Sequence, residues 1–100
     1  MLSNVTEIVN ASASAVIVEE GNDLYVRLKN AIVAFDTCRL LSPNGNQYAK
    51  DERYVERCGF IVRKIQGNDG GNWTIEYGNG IIYRAPILVT VTGKYFKRNY

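Results

Sequence analysis

The residues of this chain that could do chemistry are two cysteines, ten acidic residues and a tail in which cations alternate with rings; there is no histidine. Without histidine there is no Ser-His or Cys-His nucleophile pair and no imidazole metal ligand. Cys38 and Cys58 lack CxxC spacing, so they do not make a zinc site. Glu19 and Glu20 are adjacent and would point to opposite faces of a strand, while Asp51 and Glu52 lie in a charge run that reads as a solvated face. Nothing marks the converging carboxylate pair of a glycosidase. The stretch "QGNDGGNW" has the glycines of a phosphate loop, but no Gly-Lys-Ser/Thr follows and no helix opens after it. It reads as a turn. The sequence therefore points to a protein that is not an enzyme and needs no cofactor or metal.

The last eight residues, "GKYFKRNY", hold three cations, three rings and no acid. Such interleaving lines single-stranded nucleic-acid grooves. A groove that drives binding makes about 6–10 phosphate contacts, each needing a cation. Lys94, Lys97 and Arg98, with Arg84 nearby, fall short of that, so the tail reads as a strand edge or a docking surface.

The totals narrow the class further. One hundred residues, 46% of them apolar, suit one globular domain spanning 1–100. The net charge is +2 and the pI about 8.6, mildly basic. No acid follows Glu76, so an anionic partner would meet the C-terminal quarter. No apolar run is long enough to span a membrane, and "MLSNVTEIVN" has no signal-peptide pattern. These features suggest a complete small cytoplasmic protein, in a host cytoplasm or a virion if viral. In that setting Cys38 and Cys58 are expected as half-buried thiols, although a bridge between them remains open. Three stretches match the N-glycosylation pattern, at Asn4, Asn10 and Asn72, and read as chance without a secretory signal.

Short strands must position all of these residues. "SAVIVEE", "GND" and "LYVRLK" read as a hairpin, with Leu24, Val26 and Leu28 inward and Tyr25, Arg27 and Lys29 in solvent. "NAIVAFDTCRLL" favours a strand with Val33, Phe35 and Leu41 on one side, a helix being the other reading. "SPNGN" is a turn. "QYAKDERYVERCGF" could be a helix ending near Gly59. Its like-charge i, i+4 pairs, Glu52 with Glu56 and Arg53 with Arg57, argue for a charged loop instead. "FIVRKIQ" reads as a strand. "NVTEIV" suits a short helix or an edge strand.

"NWTIEYGNGIIYRAP" is the clearest hairpin. A three-residue loop, Gly78-Asn79-Gly80 with Gly80 left-handed, pairs Tyr77 with Ile81, Ile75 with Tyr83 and Trp73 with Ala85. It gathers Trp73, Ile75, Tyr77, Ile81, Tyr83 and Ala85 on one face, whereas a two-residue Asn-Gly loop mixes polar and apolar residues on both. That face is either core or an exposed aromatic platform. Pro86 cannot donate to a ladder, so a bend or an edge is expected there. "ILVTVTG" follows with Ile87, Val89 and Val91 inward.

The fold expected is mainly β: a single small antiparallel barrel or sandwich of five to seven strands, with room for one short helix, and α+β as the alternative. An SH3-like or OB-like barrel has the right size. The function expected is non-catalytic binding of another protein, as an inhibitor, adaptor or assembly subunit, of the kind found among small viral accessory proteins; self-association into a homo-oligomer fits too. Tyr25, Arg27, Tyr83, Arg84, Tyr95 and Arg98 are the expected partner contacts, because Tyr and Arg dominate interface hot spots. The alternative is a small nucleic-acid-binding barrel that uses its basic, aromatic C-terminus.

Overall fold

A computed structural model describes residues 5–32 and 37–93 of the chain. They form eight strands: β1 (Val5–Ile8), β2 (Ala15–Glu19), β3 (Leu24–Val26), β4 (Cys38–Leu41), β5 (Ala49–Lys50), β6 (Phe60–Val62), β7 (Gly71–Asn79) and β8 (Ile81–Thr92). Two 3₁₀ turns, Glu52–Arg57 and Gly67–Asp69, complete the described elements. The larger sheet runs β1-β8-β7-β4, with β2 also on β8, and the smaller runs β3-β6-β5. The two layers make a sandwich, not a closed barrel. The mainly-β expectation holds, with more strands than foreseen because the edges are divided into short pieces.

Alternation places the core. Trp73 and Ile75 of β7 and Ala85, Ile87 and Val89 of β8 turn inward and are at most 2% exposed. They pack in one cluster with Leu24, Val26, Leu28, Phe60, Val62 and Ile65 from the side of the smaller sheet. Trp73 is fully buried and its indole N–H donates to the Asp69 carbonyl at 2.8 Å. It therefore belongs to the core and not to an exposed platform. Truncating a core Trp costs about 3–5 kcal/mol. Tyr77 and Tyr83, on the same side, are half-buried and stacked, with centroids 4.9 Å apart.

The β7–β8 hairpin keeps the expected faces and changes the pairing. Tyr77 stands opposite Tyr83, Ile75 opposite Ala85 and Trp73 opposite Ile87. The register is displaced by two residues, which leaves every side chain on its face and moves the apex to Gly80. Burial cannot choose between two registers of equal parity. Charge can: the observed one sets Glu76 opposite Arg84, and the Arg84 Nε–H donates to Glu76 Oε2 at 2.8 Å.

Several other expectations are corrected. β2 and β3 form no hairpin. β2 pairs in parallel with β8, and β3 pairs antiparallel with β6. The connection between them is satisfied by both layers: Glu20 N–H donates to Thr92, Gly21 N–H to Ile65, and Ile65 N–H to Asn22. It is a crossover between sheets.

Pro86 stays within β8 and meets the edge alternative: it pairs with Thr74 of β7 and, among the described residues, has no strand on its other side. Arg84 accepts from Val9 N–H and Leu88 N–H donates to Ser14, so even-numbered residues of β8 turn their backbone groups away from β7. Pro86 faces the gap between β1 and β2, where the chain leaves the sheet and Ala11 bridges Leu28. No strand needs an N–H there.

In β4 the inward residue is Leu40, and Leu41 is half-buried; Val33 and Phe35 lie outside the described residues. "NVTEIV" supplies an edge strand. Residues 47–58 hold no α-helix. They hold β5 and a 3₁₀ turn that ends at Cys58, which is left-handed at φ +51°.

Cys38 and Cys58 are joined in a disulfide that ties β4 to the segment leading into β6, with Cα atoms 6.0 Å apart. This overturns the expectation of two free thiols. The sequence could not show that the two chain segments meet. No helix among the described residues is long and apolar enough to cross a membrane.

Two consequences are measurable by urea titration. Gly78 sits at φ +119°, and a Cβ there would overlap the Ile81 carbonyl oxygen, whereas Gly80 at φ +90° faces open space. Gly78→Ala is expected to destabilise by about 3 kcal/mol, and Gly80→Ala by about 1 kcal/mol. Reducing the Cys38–Cys58 bond is expected to remove about 3 kcal/mol, because the unfolded chain is no longer closed into a loop.

Candidate functional site

The strongest grouping of Arg and Tyr side chains lies beside the smaller sheet, and Asp51 organises it. Asp51 precedes the 3₁₀ turn and caps it, its carboxylate accepting the Arg53 backbone N–H at 3.1 Å. The same carboxylate takes the Arg53 guanidinium in bidentate fashion: Nε and Nη2 donate to Oδ1 and Oδ2, each at 3.0 Å. Asp51 is buried and its own N–H donates to Gly59, which fixes the turn against the start of β6. Side-chain hydrogen bonding from Arg53 holds the Asp51 carboxyl below the usual range, against the opposing effect of burial and with help from the Arg53 N–H.

Held in this way, the Arg53 head lies 5.4 Å from the ring centroid of Tyr25 and 5.4 Å from that of Tyr54. Arg27 covers Tyr54 at 4.2 Å. The four side chains form a ladder, Tyr25–Arg53–Tyr54–Arg27. Tyr54 can enter it because its backbone departs from helical geometry, at φ −131° and ψ 45°, and splits the turn. Each cation–π contact contributes about 0.5–1 kcal/mol at an exposed site. Tyr25 is 47% exposed, and Val55 beside the ladder is 58% exposed. A shallow hollow of about 520 Å³ is lined by residues 52–57.

A second charged group crosses the larger sheet. Glu76 on β7 is flanked by Arg39 on β4 and Arg84 on β8, its direct partners in the ladder. Arg39 donates to Oε1 from Nε at 2.9 Å and from Nη2 at 2.6 Å, and Arg84 to Oε2 at 2.8 Å. Burial by itself would push the Glu76 carboxyl up. The two arginines outweigh it and hold the group below its ordinary value. This row ties three strands together, and both carboxylate oxygens are already occupied.

Of the expected contact residues, the structure places Tyr25 and Arg27 together in the ladder. Tyr83 turns to the inner side and stacks on Tyr77. Arg84 lies on the outer face of the larger sheet, pointing away from the ladder. Tyr95 and Arg98 lie outside the described residues. Arg53 and Tyr54, which complete the ladder, were not among the expected contacts. The available signal was Asp51 two residues before Arg53, a short-range cap, but nothing in the local pattern of residues 51–57 indicates that Arg53 reaches Tyr25, far away along the chain. Among the described residues no group of three His, Cys, Asp or Glu side chains could hold a metal ion.

No family model matches the chain, and no curated protein matches it. Solved structures are similar in fold. One is a crystal structure of the titin M10–obscurin-like 1 Ig complex, with a TM-score of 0.60 and 18% identity over 79% of this chain and 86% of that one. Another is the solution structure of the Ig-like domain of human leucine-rich repeat-containing protein 4, with a TM-score of 0.59 and 17% identity over 81% and 84%. The sandwich is thus immunoglobulin-like.

The depressed Asp51 carboxyl sets a pH dependence. A group whose folded pKa lies below its unfolded value contributes stability above the unfolded pKa, and loses it as pH falls through the folded one. Melting temperature should be flat from neutrality to about pH 5 and fall below about pH 4. Asp51→Asn should melt lower than wild type at pH 7, with the gap closing on acidification. A gap that does not narrow as the pH falls through and below the ordinary carboxylate range would show that the charge does not hold the turn.

Proposed function

We propose that this chain is a non-catalytic protein-binding domain that docks its partner through the Tyr25–Arg53–Tyr54–Arg27 ladder. The observation that carries the reading is the preorganisation of that ladder. Arg53 is held at two points by a buried carboxylate and lies near two rings, so few rotamers remain to be frozen on binding. Tyr and Arg are the residue types that concentrate interface energy. Exposed Val55 adds apolar area at the margin, and Glu52, Glu56 and Arg57 supply a polar rim.

The immunoglobulin-like sandwich supports the reading, since domains of this form commonly bind other proteins. One of the similar structures is itself a complex. Roles as inhibitor, adaptor or assembly subunit all use the same act of binding, and a second copy of the chain is one candidate partner. Among the described residues Arg39, Arg53, Arg63 and Arg84 are each engaged by an acid within the fold, which favours a protein partner for this part of the surface. Lys94, Lys97 and Arg98, on which the nucleic-acid alternative rests, lie outside the described residues.

The test is photo-crosslinking from position 25 in an extract of the source, followed by affinity measurements on the captured partner at low and high salt. Tyr25→Ala and Tyr54→Ala are each expected to weaken binding by about tenfold or more, with modest salt dependence. Arg39→Ala, on the other sheet, should leave binding unchanged. Binding that ignores the ladder variants, or that high salt abolishes, would overturn the proposal.

A further inference from the structure

Asn72 is the residue that the ladder leaves unexplained. It opens Asn72-Trp73-Thr74, which has the Asn-X-Ser/Thr pattern of an N-glycan acceptor. On β7 the alternation sends Trp73 wholly into the core and Asn72 outward. The Asn72 side chain is exposed and has no hydrogen-bond partner among the described residues. Thr74 lies two residues on, on the same outer face and half-buried. The Cys38–Cys58 disulfide adds an independent indication. Such bonds form and persist where thiols are oxidised, and the secretory pathway is such a compartment as well as the one where N-glycans are attached.

The surroundings of Asn72 point the same way. Its direct partner across the strands is Leu88, an outward leucine that is 51% exposed. Pro86 and Thr90, on either side of Leu88 along β8, are also exposed on that face. Ile17, on β2 opposite Thr90, is 78% exposed. No described residue covers this strip, and exposed apolar strips on a sheet invite association. A carbohydrate rooted beside Leu88 would lie across the strip, with its C–H faces against the side chains and its hydroxyls in water.

We propose that Asn72 is an N-glycosylation site whose glycan shields the outer face of the larger sheet. In the transfer the Asn72 amide nitrogen attacks the anomeric carbon of a lipid-diphosphate-linked oligosaccharide. The N–C bond forms, the bond from that carbon to the phosphate oxygen breaks, the lipid diphosphate departs with the electron pair, and one amide proton passes to a base. The glycan stands on the sheet opposite to the ladder, so it leaves the Tyr25–Arg53–Tyr54–Arg27 face open.

The experiment is translation of the full chain, behind a cleavable secretion leader, in the presence of endoplasmic-reticulum microsomes. Only protease-protected chains are scored, before and after treatment with peptide N-glycosidase. Wild type is expected to show an enzyme-sensitive mass increase that Asn72→Gln and Thr74→Ala each diminish by one glycan. Thr74→Ser should restore it, and Asn10→Gln should leave the Asn72 glycan in place. Protected chains at bare polypeptide mass, or a shift that survives intact in Asn72→Gln, would overturn the proposal. On the secreted protein, enzymatic removal of the glycan should raise the fluorescence of an apolar dye, and Leu88→Thr should reduce that rise. An unchanged signal would show that the glycan shields nothing.

Discussion

The larger sheet depends on β8 running unbroken for twelve residues while three other strands bond to it. β7 takes one edge along its whole length. β1 and β2 divide the other, and the division falls at Pro86, where no donor exists. A proline in a strand with partners on both sides is ordinarily a fault, because it interrupts a ladder. Here the chain leaves the edge for the same interval, and its backbone groups turn to the smaller sheet instead: Ser12 N–H donates to Arg27, and Lys29 N–H to Asn10. The position of one residue thus separates β1 from β2 and sends the intervening chain across to the other layer.

The layers are held together in two ways. The apolar cluster built around Trp73 is the larger contribution, since burial of apolar area is the dominant favourable term in folding. A domain of about 100 residues has a modest core, and a covalent tie between layers matters more in such a domain. The disulfide supplies that tie at Cys58, the residue that closes the 3₁₀ turn. The turn that carries the ladder is consequently anchored at both ends, by the buried carboxylate of Asp51 at its start and by the disulfide at its finish.

Two buried carboxylates, Asp51 and Glu76, use arginine in the same way with different results. Glu76 sits in the middle of a sheet and is met from both neighbouring strands, so its arginines fasten β4, β7 and β8 side by side. Asp51 sits at a turn and is met by an arginine two residues away. That leaves the Arg53 guanidinium free to lie near two rings. A buried ion pair by itself is weak evidence of stability, and its effect depends on what the pairing positions. On the larger sheet it positions backbone; beside the smaller sheet it positions a surface.

Alternation along residues 71–92 was enough to place Trp73, Ile75, Ala85, Ile87 and Val89 inside, because strand side chains have a period of two and burial acts on each face separately. The same reasoning placed Leu24, Val26 and Leu28 inward and Tyr25 outward. It could not decide which strands pair. The two β7–β8 registers share one parity, and only the partners of Glu76 separate them. "SAVIVEE" and "LYVRLK" look like a hairpin locally, yet their hydrogen bonds go to β8 and β6. The disulfide, and the approach of Arg53 to Tyr25, join residues far apart in the chain, as does the placing of Asn72 beside Leu88. Local preference and periodicity are properties of neighbouring residues, so the sequence by itself determined which way the side chains of residues 24–28 and of β7 and β8 face, though not those of β4, where Leu40 and not Leu41 turns inward. Only the tertiary structure could decide what each one meets, because that depends on how distant segments satisfy one another's hydrogen bonds and charges.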